Sequence, residues 1–308
     1  MKNKIHIPVL YKEVIENLNI KSNGVYVDAT IGFGGHTSLI LENLDNSGKV
    51  IGIDQDIEAI EYLLEKFIEN NNLFLFNENF TKIDEMVKMA SPEGVDGIIA
   101  DFGVSSWQLD SGERGFSWRE DYPLDMRMNR NKGKTAADYV NELDVNELQR
   151  IFKVYGEERH SGRVAREIVK VRTIDKIETT GQLANLVQKV IPKKEKIHPA
   201  TRIFQALRIY VNKELESIEI FLENALKALK PGGRLCCISF HSLEDRIVKN
   251  FFREKSRTCI CPPELFKCTC NHKSELKIIS KKPITSNDNE IRENIRSRSA
   301  KMRVAEKI

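Results

Sequence analysis

Two hydrophobic periods alternate along the first hundred residues. Short β-rich runs lie near 25–31, 49–54, 73–77 and 95–102, and between them apolar residues recur every three or four positions, near 35–44, 56–70 and 80–90. Alternating strands and helices predict an α/β fold with a parallel, doubly wound sheet. The next convincing strand is Arg234–Phe240, after the turn Lys230-Pro231-Gly232-Gly233. About 130 residues separate it from the fourth strand, whereas a βαβ unit needs only about 30, so the surplus is predicted to be an inserted structure. The pattern inside the insert is helical. Asp144-x-x-Glu147 reads as a capping box ahead of Leu148, Ile151, Phe152 and Tyr155, with Gly156 as the stop. Further rows follow at Val164, Ile168 and Val171, then at Leu183, Leu186, Val187, Val190 and Ile191. One long helix from about 199 to 229 is predicted to return the chain to the sheet, with Phe204, Leu207, Val211, Leu215, Ile218, Leu222 and Leu226 on one face. Segments near 275–281 and 299–306 suit a terminal antiparallel hairpin, and 256–274 and 282–296 read as irregular loops.

Length and composition fit two globular domains: 308 residues, 41% hydrophobic and 30% charged, can bury a full core. No apolar run approaches the length of a transmembrane helix, and Met1-Lys2-Asn3-Lys4 is too polar for a signal peptide, so the expected compartment is the cytoplasm, with no membrane partner. Charge is unevenly spread. Residues 1–110 carry 8 Lys/Arg against 18 Asp/Glu, and the remainder carries 40 against 27. A basic later part suits a polyanionic substrate, though solvated helix faces would have the same composition.

The chemistry begins at Val25–His36. An apolar strand carrying Asp28 runs into a loop with Gly32, Gly34 and Gly35, and the second strand ends in Asp54, 22 residues beyond Gly32. Glycines allow a sharp turn and close approach of a ligand, and an acid ending strand 2 suits two ribose hydroxyls. A nicotinamide site would want a third glycine where Thr37 stands. Asp-x-x-x-Gly-x-Gly instead resembles the first motif of S-adenosylmethionine-dependent methyltransferases, whose cofactor has no phosphate and a cationic amino acid end. Asp56, ahead of Ile57-Glu58-Ala59-Ile60, suits a helix cap better than Asp54 does.

Ligands of doubly wound sheets bind beyond the carboxyl ends of the strands. Asp101–Ser106 and Ser239–Asp245 end the fourth and fifth strands, so Asp101, Ser105, His241 and Ser242 are the candidate catalytic groups. The bland alternatives are a turn cap for Asp101 and a satisfied structural histidine for His241. Methyl transfer asks an enzyme mainly to align a nucleophile and keep its lone pair available. Polar acceptors on the N–H groups of a conjugated amine would do this.

Long blocks in a fixed order then carry a specific likeness: His6–Leu10, Gly32–His36, Asp101–Ser106, Gly112–Ser117, Pro123–Met128, Gly156–Arg159, His198–Arg202, Phe204–Arg208, Ser239–Asp245 and Arg296–Lys301. Over nearly its full length the chain resembles the bacterial ribosomal RNA small subunit methyltransferase H (RsmH, MraW) family. That resemblance implies a Rossmann-like methyltransferase sheet, expected as 1–108 with 208–308, and an all-helical RNA-recognition insert, expected as 109–207, between strands 4 and 5. It implies methylation by S-adenosyl-L-methionine of the N4 amine of a decoding-centre cytidine in 16S rRNA of the small ribosomal subunit. It also implies cofactor contacts at Gly34, Gly35, His36, Asp54, Phe80, Asp101 and Gln108. Without it, Phe80 reads as a core aromatic. Many amino-methyltransferases place an aromatic in the motif ending strand 4; Asp101-Phe102-Gly103-Val104 lacks it there, leaving Trp107, Phe116 and Trp118 as candidate base-stacking rings and Arg114, Arg119 and Arg127 as candidate phosphate contacts.

Cys259-x-Cys261 and Cys268-x-Cys270 bring four thiols within 12 residues. Zinc is the chemical alternative in a reducing compartment, but Cys-x-Cys pairs are less typical of it than Cys-x₂-Cys and the resemblance implies no metal, so none is expected. Cys236 and Cys237 read as buried small hydrophobes. Two rivals stand beside the favoured reading: a same-fold methyltransferase acting on DNA or protein, and a non-catalytic RNA-binding assembly factor. The oligomeric state, a homodimer included, is open.

Overall fold

A computed structural model describes residues 8–191, 198–262 and 268–308. His6 and Ile7, part of the patterns above, lie outside the described residues. The chain divides into two compact units, residues up to Gly103 with Leu215–Ile308, and Val104–Glu214.

The first unit is a seven-stranded sheet. Its chain order is α1 (Tyr11–Leu18), β1 (Val25–Asp28), α2 (Gly35–Glu42), β2 (Lys49–Asp54), α3 (Ile57–Lys66), β3 (Leu73–Asn77), a 3₁₀ turn at Phe80–Lys82, α4 (Ile83–Ala90) and β4 (Val95–Asp101). The sheet order is β3-β2-β1-β4-β5-β7-β6, with β5 (Leu229–Ser239), β6 (Leu276–Ile278) and β7 (Lys301–Lys307) completing it. The first five positions in that order are parallel, and β7 runs antiparallel to both β5 and β6, the hairpin expected near the C-terminus. Buried residues alternate between the faces, as the period of two requires. Tyr26, Val50, Ile99, Cys236 and Val304 pack with Val14, Leu18 and Ile40 of α1 and α2, whereas Val27, Ile51, Ile98 and Cys237 pack with residues of α4 and two later helices. Cys236 and Cys237 are buried as expected.

The second unit is helical: α5 (Ser106–Asp110), α6 (Ala136–Glu142), α7 (Val145–Val154), α8 (Ser161–Arg172), α9 (Thr180–Val190) and α10 (Ala200–Asn212). Leu148, Ile151, Phe152, Val164, Ile168, Leu183, Val187, Phe204 and Leu207 form its core. Asp144 caps α7, accepting from Asn146 and Glu147 N–H, while the Glu147 carboxylate turns outward to Arg150. Gly156 is required by packing: a Cβ there would lie 2.6 Å from the Arg202 carbonyl oxygen. The unit is wider than the expected 109–207, because Val104, Leu109, Tyr210 and Val211 pack on its core and Arg208 pairs bidentately with Glu214.

The long helix expected over 199–229 is two. Lys213 takes a left-handed conformation (φ 51°) between α10 and α11 (Glu214–Ala228). Asn212 fixes the break, donating to the Met126 carbonyl and accepting from Met128 N–H. Apolar periodicity continues through the interruption, so the pattern alone hides it. Strand β5 also begins earlier than Arg234: Leu229 pairs with Val95, and a register shift accommodates Pro231-Gly232-Gly233 before Arg234 meets Gly97. Two further helices, α12 (Ser242–Lys255) and α13 (Asp288–Glu293), have no counterpart in the sequence reading, as is also true of α1, α5 and α6; α13 falls in a stretch read as loop. Among the described residues, no helix is long and apolar enough to cross a membrane.

Candidate functional site

The strand order reverses between β1 and β4, since β2 and β3 lie on one side of β1 and β4 and β5 on the other. Such a switch point opens a crevice at the carboxyl ends of the strands. The glycine loop lies at that end of β1. Gly32 (φ 47°) and Gly34 (φ 75°) adopt left-handed backbone, and Gly34 begins α2 with no side-chain cap. A Cβ on Gly34 would come within 2.8 Å of Leu63 Cδ2, so both conformation and space select glycine there. Thr37, where a nicotinamide site would carry glycine, donates its hydroxyl to Asp28 Oδ2 at 2.7 Å. The loop is thereby tied to the strand beneath it.

Three acids end three neighbouring strands. Asp54 Oδ2 accepts from Gly32 N–H at 2.9 Å and Oδ1 from Asp56 N–H at 2.9 Å. Asp56, as expected, caps α3. Burial pushes the Asp54 carboxyl up to about 6 against the pull of those two N–H donors, with the charges of Asp56 and Asp28 adding to the rise. Asp28, almost fully buried, is likewise pushed up to about 6 by desolvation, despite the Thr37 hydroxyl and backbone donors. Asp101 rises well above the ordinary carboxylate range through burial, then through the charges of Asp28 and Glu244. Its backbone N–H donates to Thr30 Oγ1 at 2.7 Å, but its buried Oδ1 has no hydrogen-bond partner. Among the described residues no lysine or arginine pairs with these three acids. Buried carboxylates without a cation are costly, and a ligand with a cationic end and ribose hydroxyls matches what they lack. The residues present therefore fit S-adenosylmethionine.

The other candidates of this unit have structural partners. His36 is buried with Nε2 2.9 Å from the Val9 carbonyl oxygen, so it donates there, and burial holds its pKa low. Next to it Leu10 takes a left-handed conformation and donates its N–H to Glu290 Oε1 at 2.6 Å. His36 and Glu290 thus strap residues 9–10, which lead into α1. Phe80 follows β3 and meets Phe221 edge-on (5.2 Å) and Phe102 (6.1 Å), but stays only partly buried, so the core reading and an exposed ring edge coexist. His241 is the N-cap of α12: its Nδ1 accepts from Glu244 N–H at 3.4 Å, and Glu244 Oε2 accepts from Phe240 N–H. Its Nε2 lies 3.1 Å from Glu244 Oε1 without hydrogen-bond geometry. Ser242 is exposed at the first turn of α12.

In the helical unit, Ser105 and Gln108 form the capping box of α5: Ser105 Oγ accepts from Gln108 N–H, and Gln108 Oε1 accepts from Ser105 N–H. Phe116 is buried in the helical core and is removed from the base-stacking candidates. Trp118 stacks on His198 with centroids 3.8 Å apart, while Trp107 is half exposed. Arg114 is fully buried and donates to the Met128 carbonyl, and Arg127 pairs bidentately with Asp125, so neither is a free phosphate contact. Arg119 is exposed. A groove of about 730 Å³ between α8 and α9 is lined by Arg163, Arg166, Lys176 and Lys189, with Glu167 and Asp175 among them. A second hollow shares Arg163 and Arg166 and adds Lys153 and Arg159.

The sequence profile of the MraW methylase family matches residues 3–308. A ribosomal RNA small subunit methyltransferase H from Caldicellulosiruptor saccharolyticus is 51% identical over 98% of this chain and 99% of its own length. Proteins of the same description from Halothermothrix orenii and Clostridium botulinum are 48% and 50% identical, each over 98% of this chain and 98% or more of their own. The chain belongs to the MraW methylase family. It is an S-adenosylmethionine-dependent methyltransferase.

Within this methylase, Gly34, Gly35, His36, Asp54, Phe80 and Asp101 all belong to the sheet unit and Gln108 to the helical unit. Sequence reasoning missed Thr30, Thr37 and Glu290. Thr37 gave a signal, since a hydroxyl replaced the third glycine nine residues after a buried strand acid. Glu290 gave none, being 280 residues from Leu10.

Proposed function

We propose that this methylase transfers a methyl group to the N4 amine of a decoding-centre cytidine in 16S rRNA, acting in the cytoplasm on the small ribosomal subunit. The observation that carries the cofactor half is the group of uncompensated carboxylates Asp28, Asp54 and Asp101 at the strand ends. Asp54 is the acceptor for ribose hydroxyls, Asp28 and Asp101 offset the positive charge of the donor, and Phe80 offers an apolar edge to the adenine. The glycine loop admits the ligand to the backbone, with Gly34 and Gly35 at its closest approach and His36 holding the strap beneath it. S-adenosylmethionine supplies a methyl group on a sulfonium whose sulfur takes the bonding electron pair when the carbon is attacked.

The nucleophile is a weak one, because the cytosine N4 lone pair is conjugated with the ring. An acceptor on its N–H draws the nitrogen toward sp³ geometry and frees the lone pair. Asp101 suits this task, having a buried oxygen without a partner and a raised proton affinity. Ser105, His241 and Ser242 are the further polar groups assigned to orient the amine, and Gln108 to contact the donor. The exposed basic side chains along α8 and α9 suit rRNA phosphates, and the half-exposed Trp107 is the ring assigned to stack on a base. A homodimer is compatible with this reading and is not required by it.

The test is methylation of small subunits lacking the modification, with labelled donor, followed by nucleoside analysis of the digested RNA. Label in N4-methylcytidine is expected. Label in 5-methylcytidine, in a ribose methyl or in ribosomal protein would reject the assignment.

A further inference from the structure

The connection between α12 and β6 closes on itself at its base. Glu275 N–H donates to the Lys255 carbonyl at 2.8 Å, and the Ser274 hydroxyl donates to the Ser256 carbonyl at 3.2 Å. Inside this closed excursion stand Cys259, Cys261, Cys268 and Cys270. Their Sγ atoms all lie within 4.8 Å of one another, with Cys259–Cys268 at 3.5 Å, Cys268–Cys270 at 3.6 Å and Cys259–Cys270 at 3.8 Å. Four sulfurs about 2.3 Å from a tetrahedral zinc are about 3.8 Å apart along each edge, so these separations match the edges of such a site.

Other reasons for gathering four thiols fail here. A disulfide would draw two sulfurs to about 2.05 Å, and all four cysteines are free. Hydrophobic packing does not explain them either, because two are exposed and two half-exposed, in contrast to the fully buried Cys236 and Cys237. Thr269 N–H is directed at Cys261 Sγ at 3.4 Å, a donor of the kind that supports a metal-bound thiolate. His272, two residues beyond Cys270, is turned away with Nε2 3.1 Å from the Glu254 carbonyl oxygen. The Cys-x-Cys spacing that weighed against a metal is outweighed by the folded arrangement, which converges both pairs on one point.

We infer that Cys259, Cys261, Cys268 and Cys270 form a tetrahedral thiolate site for one zinc ion, which staples the loop between α12 and β6. Four protein sulfurs close the coordination sphere, so the ion has a structural part and no open position for substrate. Loading releases the thiol protons to solvent and involves no redox step.

The full-length protein, purified under reducing conditions without chelator, should contain about one zinc per chain by elemental analysis. Cobalt(II) replacing it should give thiolate-to-metal charge transfer and the intense d–d bands of a tetrahedral site. Cys259→Ser with Cys268→Ser should lower zinc to below about a tenth per chain while leaving S-adenosylmethionine binding by calorimetry intact, and His272→Ala should leave the zinc content unchanged. Retained donor binding separates loss of the metal from loss of the fold. Less than about a tenth of an equivalent after supplying zinc, with the four thiols freely reactive, would overturn the assignment. So would undiminished zinc in the double serine variant, or an intact mass showing that the cysteines pair as disulfides.

Discussion

The two units treat buried acid in opposite ways. In the helical unit Asp125 is nearly as buried as Asp28, yet Arg127 grips it bidentately and Arg130 lies 3.9 Å away. Burial alone would raise the Asp125 carboxyl, but hydrogen bonds and charge from Arg127 hold it below its ordinary range. Glu214 is likewise gripped by Arg208. In the sheet unit Asp28 and Asp54 have only neutral donors, Asp101 Oδ1 has none, and the charge of Asp28 raises the proton affinity of both Asp54 and Asp101. One unit is electrostatically finished as a folded chain. The other carries a deficit of positive charge at the end of its sheet, which is the signature of a binding site rather than of a core.

Removing the ribose acceptor should have the largest effect. Asp54→Ala is expected to weaken S-adenosylmethionine binding by about 100-fold or more, two charge-assisted hydrogen bonds being worth about 3 kcal/mol together. Titration calorimetry reads this directly. Asp125→Ala should leave the donor affinity unchanged, and a comparable loss there would erase the contrast between the units.

Neutralising one acid in each unit should then shift stability in opposite directions. The folded protein holds Asp28 at about 6 against an ordinary 3.8, so between those values it binds more protons than the unfolded chain. Stability from this group is therefore fullest below pH 3.8 and falls as pH rises to about 6 and beyond. At pH 8 and without ligand, Asp28→Asn relieves a penalty of about 3 kcal/mol and should raise the thermal midpoint. Asp125→Asn leaves the Arg127 charge uncompensated and should cost about 2 kcal/mol. Equal destabilisation by both would show that Asp28 is structural.

The parts of this contrast legible in the sequence were the local ones. Asp54, Asp56 and the glycine loop announce themselves because strand period, cap position and turn residues are set within a few positions of each other. Pairing across distance is silent. Nothing near Leu10 in sequence points to Glu290, and nothing in the apolar row of 199–229 marks the left-handed Lys213 that splits the helix; even the close spacing of Asp125 and Arg127 does not by itself separate an ion pair from a phosphate contact. Arg114 fails for the same reason: an arginine among aromatics reads as an RNA contact until burial and its bond to the Met128 carbonyl are seen. The catalytic candidates Ser105 and His241 are both helix caps, a role that their positions after strands permit as readily as chemistry.

Acidity provides a smaller test on the intact protein. The donor binds the ionised acids, so its affinity should be level above pH 7 and decline as pH falls through about 6, by about tenfold at pH 5 if one such carboxyl governs. Calorimetry across pH 5–8 in buffers of differing ionisation enthalpy also counts the protons released. A flat profile would mean that the acids are already ionised in the free protein, removing the charge deficit on which the contrast rests.

The smallest expected effect concerns the helical unit, whose exposed basic groups are the positive counterpart of the acidic sheet end. Arg163 and Arg166 face solvent on α8 and line both hollows of that unit. If they meet RNA phosphates, each alanine substitution removes one counterion-releasing contact, so the slope of log affinity against log salt should fall by about 1 per residue. Affinity for small-subunit RNA at moderate salt should drop only a few-fold, because other phosphate contacts remain. Binding of S-adenosylmethionine should not change, since donor contacts and phosphate contacts are assigned to different groups. Filter binding of the Arg163→Ala, Arg166→Ala double variant over a salt series reads the slope, and an unchanged slope would return this groove to the status of a solvated helix face.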